Sequence, residues 1–159
     1  MRRQDREVKD LQEMEEIITM CKTCHIGMVD EERPYVVPLN FGYERVEEHF
    51  IFYFHCAKEG RKLSILHKNP QVALELSVEG EPVHPETPCN SGYYYSSFMG
   101  EGSVEFVEDS EEKCKALSLL MMQQIGKKVT FEKKQADTVC VFKVDLVEYS
   151  AKRKPRPVQ

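Results

Sequence analysis

A chain of 159 residues, 41% hydrophobic and 31% charged, has the length and composition of one soluble globular domain, with enough chain to bury a core without disulfide staples. Apolar stretches such as FIFYF at 50–54 fall far short of the about 20 residues a membrane-spanning helix needs, and MRRQDREVKDLQEMEEI lacks the apolar core of a secretory signal. A net charge of −5 argues against a protein that neutralises a run of nucleic-acid phosphates, so the expectation is a cytoplasmic protein with neither membrane nor nucleic acid as partner.

Asp10 with Glu13 resembles a capping box, and Leu11, Met14, Ile17, Ile18 and Cys21 recur at helical spacing, predicting an amphipathic helix over 10–22. CKTCH at 21–25 has the form of a c-type haem attachment site and of half a zinc site. Zinc usually takes four ligands, and no second C-x-x-C or H-x3-5-H pair exists; Cys56, Cys89, Cys114 and Cys140 stand singly. The reading adopted is structural. Cys21 is the last apolar rung of the helix, Cys24 lies in the turn, the cysteines are thiols in a reducing compartment, and no metal is expected.

Strand-like runs follow at 25–29 (HIGMV), 34–43 (PYVVPLNFGY) and 49–56 (HFIFYFHC), separated by the charged turns DEER and ERVEE. They predict a three-stranded meander. GRKLSILHKN is a short helix closed by Asn69 and Pro70, and QVALELSV is a strand. EGEPVHPETPCNSG, with three prolines, is a loop long enough to be functional. YYYSSFMGEGSVEFVE predicts a long strand bulged at its two glycines, Asp109 and Glu112 cap a helix to about Ile125, and TVCVFKVDLVEYS closes the pattern. Six strands with links too short for parallel crossovers predict a mainly β fold, an antiparallel barrel with helical additions. One domain over 1–150 and a basic tail over 151–159 complete the expected organisation.

The segment YFHCAKEGRKLSIL carries the sharpest chemical signal. Lys58, Arg61 and Lys62 cluster where a helix begins, and a helix N-terminus already carries partial positive charge. An anion resolves the conflict: free N–H groups, an Arg fork and a Lys charge make a phosphate cradle, with Gly60 permitting close backbone approach. The alternative is a solvated basic turn. Upstream, Pro38 inside a good strand removes a ladder donor, so it marks an edge or bulge where backbone groups are free for a planar ligand.

MRRQDREV, PYVVPLNFGYE, FYFHCAKEGRKLSIL with KNPQVALEL, and GEGSVEFVED, in that order, resemble the nitroimidazole-resistance type of the pyridoxamine-phosphate-oxidase-like family. The resemblance runs from about residue 2 to 150. It implies a six-stranded FMN-binding split barrel that dimerises with two FMN molecules at the interface. By position, Arg61 and Lys62 would hold the FMN phosphate with help from His55 and Lys58, while Val37, Pro38, Leu39 and Asn40 would lie along the isoalloxazine ring. Ser97 falls where the oxidases carry a polar FMN contact. Ser96 stands where many relatives have Arg, and EYSAKRKPRPVQ lacks the His and Arg arrangement that grips pyridoxamine phosphate, so that oxidase activity is not expected. The resemblance implies an FMN-dependent oxidoreductase acting on a small electron-poor molecule, with no catalytic acid or base required a priori. A non-enzymatic flavin-binding module and a haem-binding split barrel are the alternatives.

Overall fold

The computed structural model describes residues 3–83 and 91–154. His84 and Cys89 in the predicted loop, the first two residues, and residues 155–159 of the predicted tail lie outside the described residues. After a single 3-10 turn, Gln4–Arg6, the order is β1 (Glu7–Val8), α1 (Leu11–Met20), β2 (Cys24–Asp30), β3 (Arg33–Leu39), β4 (Gly42–Val46) and β5 (His49–Cys56). Then come α2 (Arg61–Lys68), β6 (Gln71–Val83), β7 (Gly92–Phe106), α3 (Ser110–Ile125), α4 (Lys133–Ala136) and β8 (Cys140–Lys154).

The fold is mainly β, an antiparallel sheet with short helices, and it has eight strands rather than the six expected. Strand order is β3-β2-β6-β7-β8-β5-β4, with β1 added on β8. Two additions make the difference. The predicted strand 34–43 is interrupted at Asn40 and Phe41 and becomes β3 and β4, and two residues before α1 pair with Ala151 and Lys152. The division also removes the predicted meander: β3 pairs with β2, β4 pairs with β5, and β3 and β4 stand at opposite ends of the strand order. β8 runs to Lys154, so the first four residues of the predicted basic tail are strand.

Side-chain alternation explains the core. Phe50, Phe52 and Phe54 on β5, Phe98 on β7 and Phe142 on β8 share one face and are fully buried, with Phe41 beside them. Their rings meet at centroid distances of 5.3 Å for Phe50–Phe98 and 5.2 Å for Phe54–Phe142, spacings at which aromatic pairs attract. The opposite face of β5 and β8 carries Tyr53 and Val141, which pack under α3 and α4 with Ala116, Leu117 and Ala136.

The helix ends obey their sequence signals. The Asp10 carboxylate accepts from the Glu13 N–H at 3.0 Å, Asp109 accepts from Glu111 and Glu112, and Gly126 closes α3 in the left-handed region. α1 ends a residue or two earlier than predicted. Buried Gln123 on α3 closes it, its Nε2 donating to the carbonyls of Ile18 and Cys21 at 3.0 and 2.6 Å. The irregularity expected at the glycines of β7 lies between Glu101 and Gly102, and Val147 of β8 is the extra residue.

Candidate functional site

β3 is an edge strand whose described pairing is with β2 alone. That is why Pro34 and Pro38 are tolerated in it: a residue without an N–H costs little where one side has no ladder. Tyr35, Val37 and Leu39 turn toward the core, whereas Val36, Pro38 and Asn40 are exposed. Asn40 is tied down, its Nδ2 donating to the Lys22 carbonyl at 3.0 Å and to Gln124 Oε1 at 2.9 Å.

The turn from β5 to α2 forms the second wall. Gly60 has φ 138°, a region L side chains rarely adopt, and a Cβ there would meet nothing within 4 Å. The glycine is therefore demanded by backbone conformation, and the space beside it is open. No side chain caps α2 and its first turn holds no acidic residue, so the helix start keeps its donors and its positive end. Arg61 reaches back to β2 and β3: Nε and Nη2 donate to Asp30 Oδ2 at 3.2 and 3.0 Å, and Cζ sits 4.3 Å from the centre of the Tyr35 ring. Among the described residues, neither Lys58 nor Lys62 has a carboxylate within ion-pair distance.

His55, near the end of β5, completes this wall. Its Nδ1 is buried without a hydrogen-bond partner, a costly arrangement for a polar atom unless something else supplies the partner. Burial lowers its pKa, and the Lys62 charge lowers it further, so an anion arriving between the two would relieve both groups.

The structure thus brings together His55, Gly60, Arg61 and Lys62, with Lys58 in the same turn, and places Arg61 against Tyr35 of the strand that carries Val37, Pro38 and Leu39, which Asn40 directly follows. Ser97 is not among them. It lies on β7 opposite Ser77 and Lys152, with β2 and β6 between it and β3, roughly 14 Å away at the usual strand spacing. The sequence reading missed Asp30 and Tyr35, which hold Arg61, and Gln124, which holds Asn40; their separations of 31, 26 and 84 residues from those partners carry no local signal.

CKTCH is split between two elements. Cys21 follows α1, and its thiol donates to the Ile17 carbonyl at 3.2 Å. Cys24 is the first residue of β2, not part of a turn as expected, because it pairs with Leu39. Both are buried, and burial pushes the Cys21 thiol up to about 11 and Cys24 higher still. His25 points the other way and bonds Glu75 at 2.9 Å. Changing Cys21 and Cys24 together to serine is expected to leave metal and cofactor content unchanged, read by metal analysis and visible spectrum. Loss of stoichiometric zinc or of a haem band would restore the motif to chemistry.

A cavity of about 840 Å³ lies elsewhere, at the other end of β7 and β8 between α1 and the residues Tyr43, Tyr94, Tyr95, Arg153 and Lys154. The cradle borders a smaller one of about 220 Å³ that Lys58 helps to line. Size alone does not mark a site; the α2 turn is where a buried imidazole nitrogen without a partner and lysines without a carboxylate partner among the described residues come together.

An antiparallel sheet of split-barrel type, with a cationic strand-to-helix turn at Lys58, Arg61 and Lys62, defines the class. Residues 10–153 match the family described as pyridoxamine 5'-phosphate oxidase, and the chain belongs to it. It is 33% identical to a Bacteroides thetaiotaomicron protein described provisionally as a 5-nitroimidazole antibiotic resistance protein, over 92% of this chain and 85% of that one, with a TM-score of 0.80. The flavocytochrome Anf3 of Azotobacter vinelandii shares the fold at 20% identity and TM-score 0.80, covering 99% of this chain and 73% of that one. An FAD and haem binding protein of Mycobacterium smegmatis does so at 16% identity and TM-score 0.80, covering 97% and 76%. No curated protein matches the chain.

Proposed function

We propose that this chain binds FMN, with the phosphate in the cradle of His55, Lys58, Gly60, Arg61 and Lys62 and the ring along β3 from Val37 to Asn40, and that it is an oxidoreductase for a small electron-poor substrate. The observation that carries this is the buried, partnerless Nδ1 of His55 beside Lys62. Phosphate oxygens accept what the uncapped helix start, Arg61 and Lys62 donate, so the residues present fit the group. FMN supplies the hydride or electron transfer itself. The protein anchors the phosphate, holds Asn40 through Gln124 at the far end of β3, and offers the edge backbone of β3 to the ring's polar rim. A nitroaromatic is the substrate class suggested by the resistance protein at 33% identity.

The visible spectrum of the purified protein tests the cofactor. Flavin bands support the reading, and a Soret band in their place overturns it in favour of haem. Reduction of the bound flavin by a nicotinamide or chemical donor, then reoxidation by a nitroaromatic, separates an enzyme from a flavin carrier; no faster reoxidation than by buffer alone would leave only the carrier.

The site is completed by a second copy. The outer sheet face places Val36 beside Gly27 and Ala73, and Pro38, His25, Glu75 and Met99 in the next row, with Ser97 beyond. Val36 and Met99 are 59% and 51% exposed there, an apolar patch that wants covering. Ser97, too distant to serve the site of its own chain, would serve that of the partner in such a dimer. Light scattering after size exclusion is expected to give a dimer, and Met99→Glu to shift it toward monomer. A monomer that still binds FMN tightly would overturn the shared site.

A further inference from the structure

We propose that Cys56 and Cys140 are a dithiol–disulfide couple that exchanges with low-molecular-weight disulfides. The two residues stand directly opposite each other where the β5–β8 ladder ends. Opposed residues of an antiparallel pair have Cα atoms about 4.5 to 5.5 Å apart, inside the range a disulfide spans. Side chains of residues so paired project to the same face of the ladder, so the two thiols are neighbours. Both are partly buried, and Cys140 lines the cavity of about 220 Å³ together with Lys58, His67 and Phe106, so a small reagent has a path to the Cys140 side of the pair. Cys21 and Cys24 are both buried, with Cys24 at zero exposure.

The pair is asymmetric. Burial raises both thiols, Cys140 to about 11, and the nearby Lys62 charge works against that rise at Cys56. Cys56 is therefore the attacking sulfur and Cys140 the resolving one. The Cys56 thiolate attacks one sulfur of a disulfide RSSR, forming Cys56–S–SR and expelling RS⁻, which takes up a proton. Cys140 then gives up its proton, its sulfur attacks the Cys56 sulfur, and the second RSH leaves. Two electrons pass from the thiol pair to RSSR, which becomes two RSH. No step uses the flavin as electron carrier; a phosphate at Lys62 would offset the charge that favours the Cys56 thiolate.

Oxidised glutathione is the probe. Equilibrating the whole protein with glutathione redox buffers and quenching with acid is expected to give a form lighter by about 2 Da, with Cys56 linked to Cys140 in the peptide map, reversed by excess reduced glutathione. The closed loop of about 85 residues is expected to raise the melting temperature by about 5 °C or more. Cys140→Ser should accumulate the mixed disulfide on Cys56, and Cys56→Ser should leave Cys140 largely unmodified. A bond between other cysteines, mixed disulfides alone in the wild type, or equal modification of the two single variants would overturn the proposal.

Discussion

Changing Arg61 and Lys62 together to alanine is expected to weaken FMN binding by about 100-fold and to erase most of the protein's preference for FMN over riboflavin. A hydrogen bond to a charged group contributes roughly 1.5 to 3 kcal/mol, and each 1.4 kcal/mol is about tenfold in affinity, so each residue carries at least about one order of magnitude. Riboflavin lacks the phosphate and should bind wild type and variant alike. The two residues differ in what else they hold. Arg61 pairs with Asp30 at 3.0 Å and lies over Tyr35, but its side chain is 56% exposed, where an ion pair adds little stability. Both variants should therefore melt close to wild type. Lys62, without a carboxylate partner among the described residues, gives the cleaner single change. Fluorescence titration with both ligands decides: if the ratio of FMN to riboflavin affinity is the same in wild type and double variant, the cradle does not hold a phosphate.

The same residues show what a sequence can and cannot disclose. Local rules sufficed for α1 and α3, whose N-caps and apolar spacing are complete within each helix, and for α2, which its apolar spacing alone marks and whose start gathers three cations within five residues. Pro38 marked an edge correctly because a missing N–H is a constraint on strand position that any sequence exposes. What stayed hidden depends on partners distant in the chain. The interruption at Asn40 and Phe41 is fixed by Gln124, which bonds both, and nothing in PYVVPLNFGY foretells it. β1 is two residues long and exists only because β8 passes beside it. C-x-x-C suggests one local unit with Cys24 in a turn, but the backbone ends a helix at one cysteine and starts a strand at the other, where pairing with Leu39 decides. Ser97 matched the family by position, yet β2 and β6 lie between its strand and β3, a separation that only the strand order discloses.

Gly42→Ala is expected to be the most damaging small change, costing about 3 kcal/mol or more. Gly42 opens β4 directly after the interruption, under α3. A Cβ there would lie 2.5 Å from the Leu119 carbonyl carbon and 2.7 Å from Leu120 Cα, and closer still to the Leu120 nitrogen. These are backbone atoms in the middle of a 16-residue helix, so no side-chain rotation relieves the overlap and the whole helix must lift. Overpacking that moves backbone costs about 1 to 3 kcal/mol, occasionally more, and α3 has more to lose than its own seat. Gln123 closes α1, and Gln124 Nε2 donates to the carbonyls of Lys22 and Phe41 at 3.0 and 3.1 Å. Lifting α3 therefore loosens α1, and it frees Asn40 at the far end of the strand assigned to the flavin. For a domain of this size, about 3 kcal/mol corresponds to a fall of roughly 10 °C in Tm, and the flavin that remains bound should be held more weakly. Met122→Ala, on the same helix but 46% exposed, should shift Tm by no more than about 2 °C and leave FMN affinity intact. If Gly42→Ala melts as close to wild type as Met122→Ala does, α3 is not held by close approach at Gly42, and the coupling from helix to Asn40 fails with it.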